Sequence, residues 1–262
     1  MPIEPLRHGV LFAASGGGSA SRETDHRDRG WRPRVGSCQE PECGASASCI
    51  SAVLHVDARQ AEPLGNLRDR GMPTDRSILV VIDGGKALRK AVGDVFGKKA
   101  IVQRCQVHKA RNVVEHLPDA MHANTKKVMR QAYKTKEIDR ARRQLENLAR
   151  AFEKDHPSAA ASVREGLQET LTIKKFNLPD ALTRTLSSTN AIENINGGIR
   201  HVCKRVRRWK GGTMILRWVG AALVEHSRGF RRLRGHAGMR ALVAALRALD
   251  VTEGVDQQKK AA

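Results

Sequence analysis

Aromatic side chains are scarce in this 262-residue chain, 3% in all with a single tyrosine. That scarcity excludes the stacked aromatic platforms that hold single-stranded nucleic acid. No apolar run approaches the roughly 20 residues needed to span a bilayer, and no apolar secretory segment opens the sequence. Without such a segment, the odd count of five cysteines (Cys38, Cys43, Cys49, Cys105 and Cys203) argues against a disulfide framework and for a reducing, cytoplasmic setting. Acidic residues are also in deficit: 27 Asp+Glu face 47 Lys+Arg, for a formal net charge of +20. The imbalance is local, because residues 1–62 hold 7 basic and 8 acidic side chains while residues 63–262 hold 40 and 19. A polyanion bound through phosphate neutralisation is the expected partner, and with so few aromatics the backbone of double-stranded DNA fits best.

Residues 1–62 lack sustained apolar periodicity. Glycine and serine fill 15–21, cysteine, glycine and serine fill 36–51, and only 50–56 (ISAVLHV) has strand character, so the segment reads as divergent, loop-like or disordered. Ordinary globular patterning begins near Leu64. The run 77–83 (SILVVID) has the length and continuous apolarity of a strand covered on both faces. Gly84 and Gly85 break it, and 86–96 carries Leu88, Ala91, Val92, Val95 and Phe96 at helical spacing. A short strand over 100–103 and a helix over 107–117 follow, an alternation that predicts an α/β core. Residues 119–186 read as a charged, all-helical insertion, with Leu145, Leu148, Ala149 and Phe152 on one face and Val163, Leu167 and Leu171 on another, separated at His156-Pro157. Residues 187–250 are read as a key helix and further C-terminal helices, and 251–262 as a polar tail. In the key helix, starting at Asn190, Ile192, Ile195, Ile199, Val202 and Val206 form one narrow apolar stripe.

Four features of this layout could carry chemistry. Asp83 closes the apolar strand, where open α/β sheets place their ligands; alternatively it caps the helix near Lys86. Glu193 lies in the first turn of its helix, in line with Gly197, Arg200 and Lys204, a face suited to metal beside a phosphate backbone; alternatively it reaches back to the Asn190 amide as a capping-box glutamate. Gly197-Gly198 costs about 1 kcal/mol per residue in a helix interior relative to alanine, which predicts another backbone close by. Cys105 and His108 form C-x-x-H, which supplies two ligands where structural zinc takes four, or else a packed cysteine beside a hydrogen-bonded histidine. Finally, Arg104, Lys109 and Arg111, with Arg200, Lys204, Arg207 and Arg208, adjoin both carboxylates and form either a DNA-phosphate track or solvated faces.

The order VIDGGKALRKAV, VQRCQVHKARNVVEHLP, EGLQETLT, LSSTNAIENINGGIR, RRWKGGTMILRW and FRRLRG resembles that of the Mutator-like transposases of bacterial insertion sequences, over residues 64–249. The resemblance implies a ribonuclease H-like core with an all-helical insertion and an Asp-Asp-Glu site. Asp83 matches the second acid and Glu193 the third, 110 positions apart, and together they are the expected catalytic and metal-binding residues. Cys105, His108 and Asn190 are expected to shape the site. The implied cofactor is Mg²⁺, replaceable by Mn²⁺; the implied partners are transposon ends and target DNA, bound by a homo-oligomer at the nucleoid. The first acid is expected on a strand several tens of residues before Asp83. Asp25 and Asp28 lie in an apolar-poor stretch and Asp57 stands too close to Asp83, so the core is expected to be incomplete at its N-terminal strands and the chain defective in cut-and-paste transposition. A non-catalytic DNA-binding remnant is the alternative. A basic structural or RNA-associated protein would explain the charge but not the order of Asp83, Cys105-His108 and Glu193.

Overall fold

Five consecutive apolar residues leave no face for water, and the fold answers by covering both. The computed structural model describes the backbone of residues 10–15, 52–56 and 62–261, and side chains between positions 64 and 252. Strands β1 (Val10–Ser15), β2 (Ala52–Val56), β3 (Ile78–Ile82) and β4 (Ala100–Arg104) form a parallel sheet of order β2-β1-β3-β4. In it Val10 pairs with Leu79, and Ile82 pairs with Arg104. Alternate β3 residues serve two cores. Ile78, Val80 and Ile82 pack with Leu64 of α1 (Glu62–Asp69) and with Leu88, Ala91, Val92 and Phe96 of the crossover helix α2 (Lys86–Phe96). Leu79 and Val81 face the opposite way, toward Ile173, Leu182, Leu186, Ile192, Leu242 and Leu246.

The sheet contains β2 within the 50–56 stretch that has strand character, and it corrects the loop-like reading of residues 1–62 at β1. Val10–Ser15 (VLFAAS) lies between β2 and β3, and its six apolar or small residues were diluted by the polar composition around them. Neither β1 nor β2 contains a carboxylate. Asp25, Asp28, Asp57, Cys38, Cys43 and Cys49 lie outside the described residues.

After β4 the chain enters helices: α3 (Gln106–Val114), α4 (Asp119–Lys134), α5 (Ile138–Phe152), α6 (Pro157–Arg164) and the single turn α7 (Leu167–Thr170). These share a core of their own running from Val113 to Leu171, with Leu145, Ala149, Phe152 and Val163 buried inside it. Proline at the first position of α6 costs nothing, since that N–H has no helical partner. From Ile173 onward, through α8 (Asp180–Leu186), the chain packs on the sheet instead, so the helical unit closes on itself about fifteen residues before position 186. The helix expected across Val163, Leu167 and Leu171 is broken at Gly166, whose φ of 63° is left-handed.

That glycine belongs to a polar latch. The Arg104 guanidinium lies between Gly84 and Gly166, where a Cβ would meet it at 2.2 and 2.4 Å respectively. It donates to the Gly84 carbonyl (3.1 Å), the Glu165 carbonyl (3.2 Å) and the Glu165 carboxylate (3.3 Å). Lys109 donates to the same Glu165 carbonyl. Gln103 donates to the Thr170 carbonyl (2.9 Å) and accepts from the Ile173 amide (2.7 Å), and Gln106 also donates to Thr170 (2.9 Å). Every donating side chain of this latch comes from residues 103–109, and it holds the returning chain against the end of the sheet.

The C-terminal part comprises α9 (Asn190–Cys203), α10 (Gly212–Ser227) and α11 (Met239–Ala261), the last being helical where a tail was expected over 251–262. On α9 the apolar stripe is fully buried only at Ile192. Helix α9 lies against β1, β2 and α10. A Cβ on Gly198 would meet the His226 ring of α10 at 2.7 to 2.9 Å, whereas Gly197 has open space, so the close neighbour at this glycine pair is a side chain and not a backbone. Asp250 ties α11 to the other end of the sheet, accepting from the Ser77 amide (2.9 Å), the Ser77 hydroxyl (2.8 Å) and Lys99 (2.8 Å). Among the described residues no helix is long and apolar enough to cross a membrane.

The latch is testable by a double-mutant cycle. Gly166→Ala forces an L residue into the left-handed region, at about 1–2 kcal/mol, and adds a clash with Arg104. In urea denaturation its cost is expected to exceed that figure in the native background and to fall back to it when Arg104 is replaced by methionine. Equal costs in both backgrounds would show that Arg104 is not what the glycine accommodates.

Candidate active site

Helix α3 begins where β4 ends, and the residue between them, Cys105, satisfies its first turn. Its thiolate or thiol sulfur accepts the His108 amide at 3.5 Å, so the C-x-x-H spacing is that of an N-cap and the third helical residue. The same sulfur accepts the Thr189 amide at 3.4 Å, and the Gln106 amide donates to the Ser187 carbonyl at 2.9 Å. Two helix starts, those of α3 and α9, are thereby joined. The Cys105 amide donates to the Ile82 carbonyl (2.7 Å), which places the junction beside the residue after Ile82, namely Asp83.

Asp83 is half-buried, and its Oδ1 accepts the Gly85 amide at 3.1 Å. The cap residue of α2 is Gly85, with no side-chain cap, so Asp83 forms a turn before that helix without capping it. Glu193 is also half-buried. The capping-box alternative does not form: Thr189 precedes the helix, Glu193 lies one residue beyond the box position, and its Oε1 accepts the Thr189 hydroxyl at 2.8 Å. The His108 Nδ1 lies 3.2 Å from the Thr189 hydroxyl and 3.6 Å from Glu193 Oε1.

Charge at this junction is balanced around the imidazole. Interaction with the Cys105 thiol raises the His108 pKa above 6.5 against the opposing effect of burial, and the charges of Glu193 and Asp83 raise it further. Burial pushes the Cys105 thiol up, but hydrogen bonds from His108 and Thr189 outweigh it and hold it below its usual value.

Two of the expected DNA contacts are instead structural. Arg104 and Lys109 are 5% and 1% exposed and are engaged by the Glu165 turn. Burial, with Arg104 nearby, lowers the Lys109 pKa to about 8. Burial pushes the Glu165 carboxyl up, but Arg104 and Lys109 together hold it below the usual carboxylate range. A run of cations in a sequence does not distinguish a solvated lysine from one buried against a carbonyl. Arg111, Arg200, Lys204, Arg207 and Arg208 are exposed, as is Asn190. The residue that joins the two helices is Asn190's neighbour Thr189, which is wholly buried. Its signal was present, since threonine directly before an apolar helical stripe is a preferred cap.

Among the described residues no three His, Cys, Asp or Glu side chains gather as a metal site. Asp83 and Glu193 offer hard oxygen donors of the kind Mg²⁺ takes, while Cys105 and His108 supply only two of the four ligands that a structural zinc takes.

Comparison with known proteins decides the family. A family model described as "Transposase, Mutator family" matches residues 60–232. The chain belongs to the Mutator family of transposases. It is 33% identical over 147 residues to the transposase for insertion sequence element ISRM5 of Rhizobium meliloti, covering 56% of this chain and 36% of that protein. It is 27% identical over 187 residues to the IST2 transposase of Acidithiobacillus ferrooxidans, covering 64% and 62% respectively. With the transposase of IS256 in transposon Tn4001 of Staphylococcus aureus the identity is 27% over 161 residues, 61% of this chain and 40% of that one. The matches thus span 36 to 62% of these relatives' lengths. The Mutator-family segment contains Asp83, Cys105, His108, Thr189 and Glu193, so the whole junction lies within it.

The raised imidazole has a measurable sign. A histidine whose folded pKa exceeds its unfolded value adds stability that is full below about 6.5 and is lost as pH rises through the folded pKa. NMR titration is expected to place the His108 midpoint above 6.5, and Cys105→Ala to lower it more than Glu193→Gln does. A midpoint at or below 6.5 in the native chain would contradict this electrostatic account.

Proposed function

We propose that this chain is the catalytic segment of a cut-and-paste DNA transposase, on a ribonuclease H-like core, with Asp83 and Glu193 as the acids that hold Mg²⁺ or Mn²⁺. The observation that carries the reading is that segments 110 positions apart bring both acids to the start of α3: Glu193 Oε1 lies 3.6 Å from His108 Nδ1, and Asp83 directly follows Ile82, whose carbonyl accepts the Cys105 amide at 2.7 Å. When bound, the metal would supply Lewis-acid stabilisation of a phosphodiester under attack and a more acidic water. The protein's own part is positioning. The Gly85 amide turns Asp83, the Thr189 hydroxyl turns Glu193, and the sulfur of Cys105 fixes the two helix starts from which His108 and Glu193 project. Arg111, Arg200, Lys204, Arg207 and Arg208 are the exposed cations suited to phosphates of transposon ends and target, on which a homo-oligomer would assemble at the nucleoid.

One observation favours a second reading. Among the described residues two acids match the family's pattern where its chemistry uses three, which suits a non-catalytic DNA-binding protein able to join mixed complexes with an intact transposase. Two acids supply too few ligands for a metal pair, and small misplacements at such sites cost about a hundredfold.

Binding and cleavage separate the readings. Binding to duplex DNA is expected to weaken steeply with salt, each phosphate neutralised contributing about −0.9 to the slope of log K against log salt. Replacing Lys204, Arg207 and Arg208 by alanine should flatten that slope by about 3, whereas Lys109→Met should leave it unchanged. A slope indifferent to the triple replacement would remove these residues from the interface. In a strand-cleavage assay with cognate ends and Mg²⁺ or Mn²⁺, the chain alone is expected to be inactive. Cleavage that disappears on Asp83→Ala would show instead that a further acid completes the site.

A further inference from the structure

Thr189 is wholly buried, yet its hydroxyl is placed between two groups that face the junction. It lies 2.8 Å from Glu193 Oε1 and 3.2 Å from His108 Nδ1. An ionised carboxylate can only accept, and a hydroxyl has one proton. If that proton goes to Glu193, the threonine oxygen can only accept from His108, whose Nδ1 must then carry hydrogen. The backbone of Thr189 is fixed independently. Its amide donates to Cys105 Sγ at 3.4 Å, and its carbonyl accepts the Glu193 amide at 3.0 Å. The hydroxyl is therefore held in register with the α3 start on one side and the first turn of α9 on the other.

We propose that Thr189 is a positioning residue that passes a fixed hydrogen-bond direction from His108 Nδ1–H through its own hydroxyl to Glu193 Oε1, so locking the histidine tautomer and the carboxylate rotamer together. Two consequences follow from the chemistry. The neutral His108 ring carries its lone pair on Nε2, the nitrogen turned away from Thr189 by ring geometry. The Glu193 carboxylate is held through Oε1, and no hydrogen bond among the described residues engages Oε2, which is left to meet a ligand. Side chains that orient a metal-binding carboxylate in this manner typically change metal affinity by 10–100-fold when removed. The inference deepens the reading of Glu193 as a metal ligand and rests on that reading only for the metal measurement below.

The test compares the native chain with Thr189→Ser, Thr189→Val and Glu193→Leu. Imidazole ¹⁵N shifts, recorded in alkaline buffer where the ring is neutral, report which nitrogen of His108 is protonated. The native chain and Thr189→Ser are expected to show the Nδ1–H tautomer. Thr189→Val and Glu193→Leu are expected to move the population toward Nε2–H, the first by deleting the relay and the second by freeing the threonine proton to point at His108. Glu193 is partly exposed, so its replacement tests the relay even where Thr189→Val fails to fold. In parallel, Mn²⁺ affinity read by water-proton relaxation is expected to fall about tenfold in Thr189→Val and to recover in Thr189→Ser. One tautomer common to all four proteins would overturn the relay. A tautomer change with no Mn²⁺ binding by any of them would uphold the relay and overturn the metal-site reading, so the two failures are distinguishable.

Discussion

The structure depends on how the chain returns to the sheet after its helical excursion. Leaving β4 at Arg104 and coming back at Ile173, it brings backbone groups that no strand or helix satisfies: the carbonyl of Glu165 and, buried, the carbonyl of Thr170 and the amide of Ile173. Each of the buried two would cost about 1–3 kcal/mol if left without a partner. Gln103, Arg104, Gln106 and Lys109 supply those partners from seven consecutive positions. The arrangement has a cost of its own, because the Arg104 Nε is buried with no hydrogen bond among the described residues, its guanidinium being wedged between two glycines. Three donations from the other guanidinium nitrogens offset that loss.

The same seven positions also carry the junction, and the two roles are divided by residue. Positions 103, 104, 106 and 109 engage the returning chain, while Cys105 and His108, three apart at the start of α3, engage α9. Two of the cations expected to meet DNA are thereby committed to holding the fold, buried and paired with the Glu165 carboxylate. The positive surface left for a polyanion lies further along, on the exposed cations of α9 and just after it. Net charge therefore overstates what this end of the sheet offers to phosphate.

Much of this was legible in the sequence because it depends on local pattern. The run 78–82 could only be a strand covered twice, Pro157 could only begin a helix, and strand-Asp-Gly-Gly marked the sheet end where Asp83 lies. The hidden parts depend on contacts between distant segments. Nothing local shows that Arg104 faces Gly166 across 62 positions, and a cation count assigns it to DNA. Thr189 does not stand out in the sequence because its meaning lies in what its hydroxyl touches, and Asn190 beside it carries the stronger polar signal. β1 is hidden for a different reason: six residues cannot shift the average of a long polar stretch.

The Asp250 contact shows that the unit of homology and the unit of folding do not coincide. The family match ends at position 232, yet Met239, Leu242 and Leu246 complete the core beneath Leu79 and Val81. Asp250 closes the start of β3 by pairing with Ser77 and Lys99. A fragment cut at position 232 would keep Asp83, Glu193 and the starts of α3 and α9 while losing Met239, Leu242 and Leu246 from the core on one face of the central strand. Expression boundaries drawn from sequence matches alone would thus open one side of that core to water, and carrying α11 along keeps it closed.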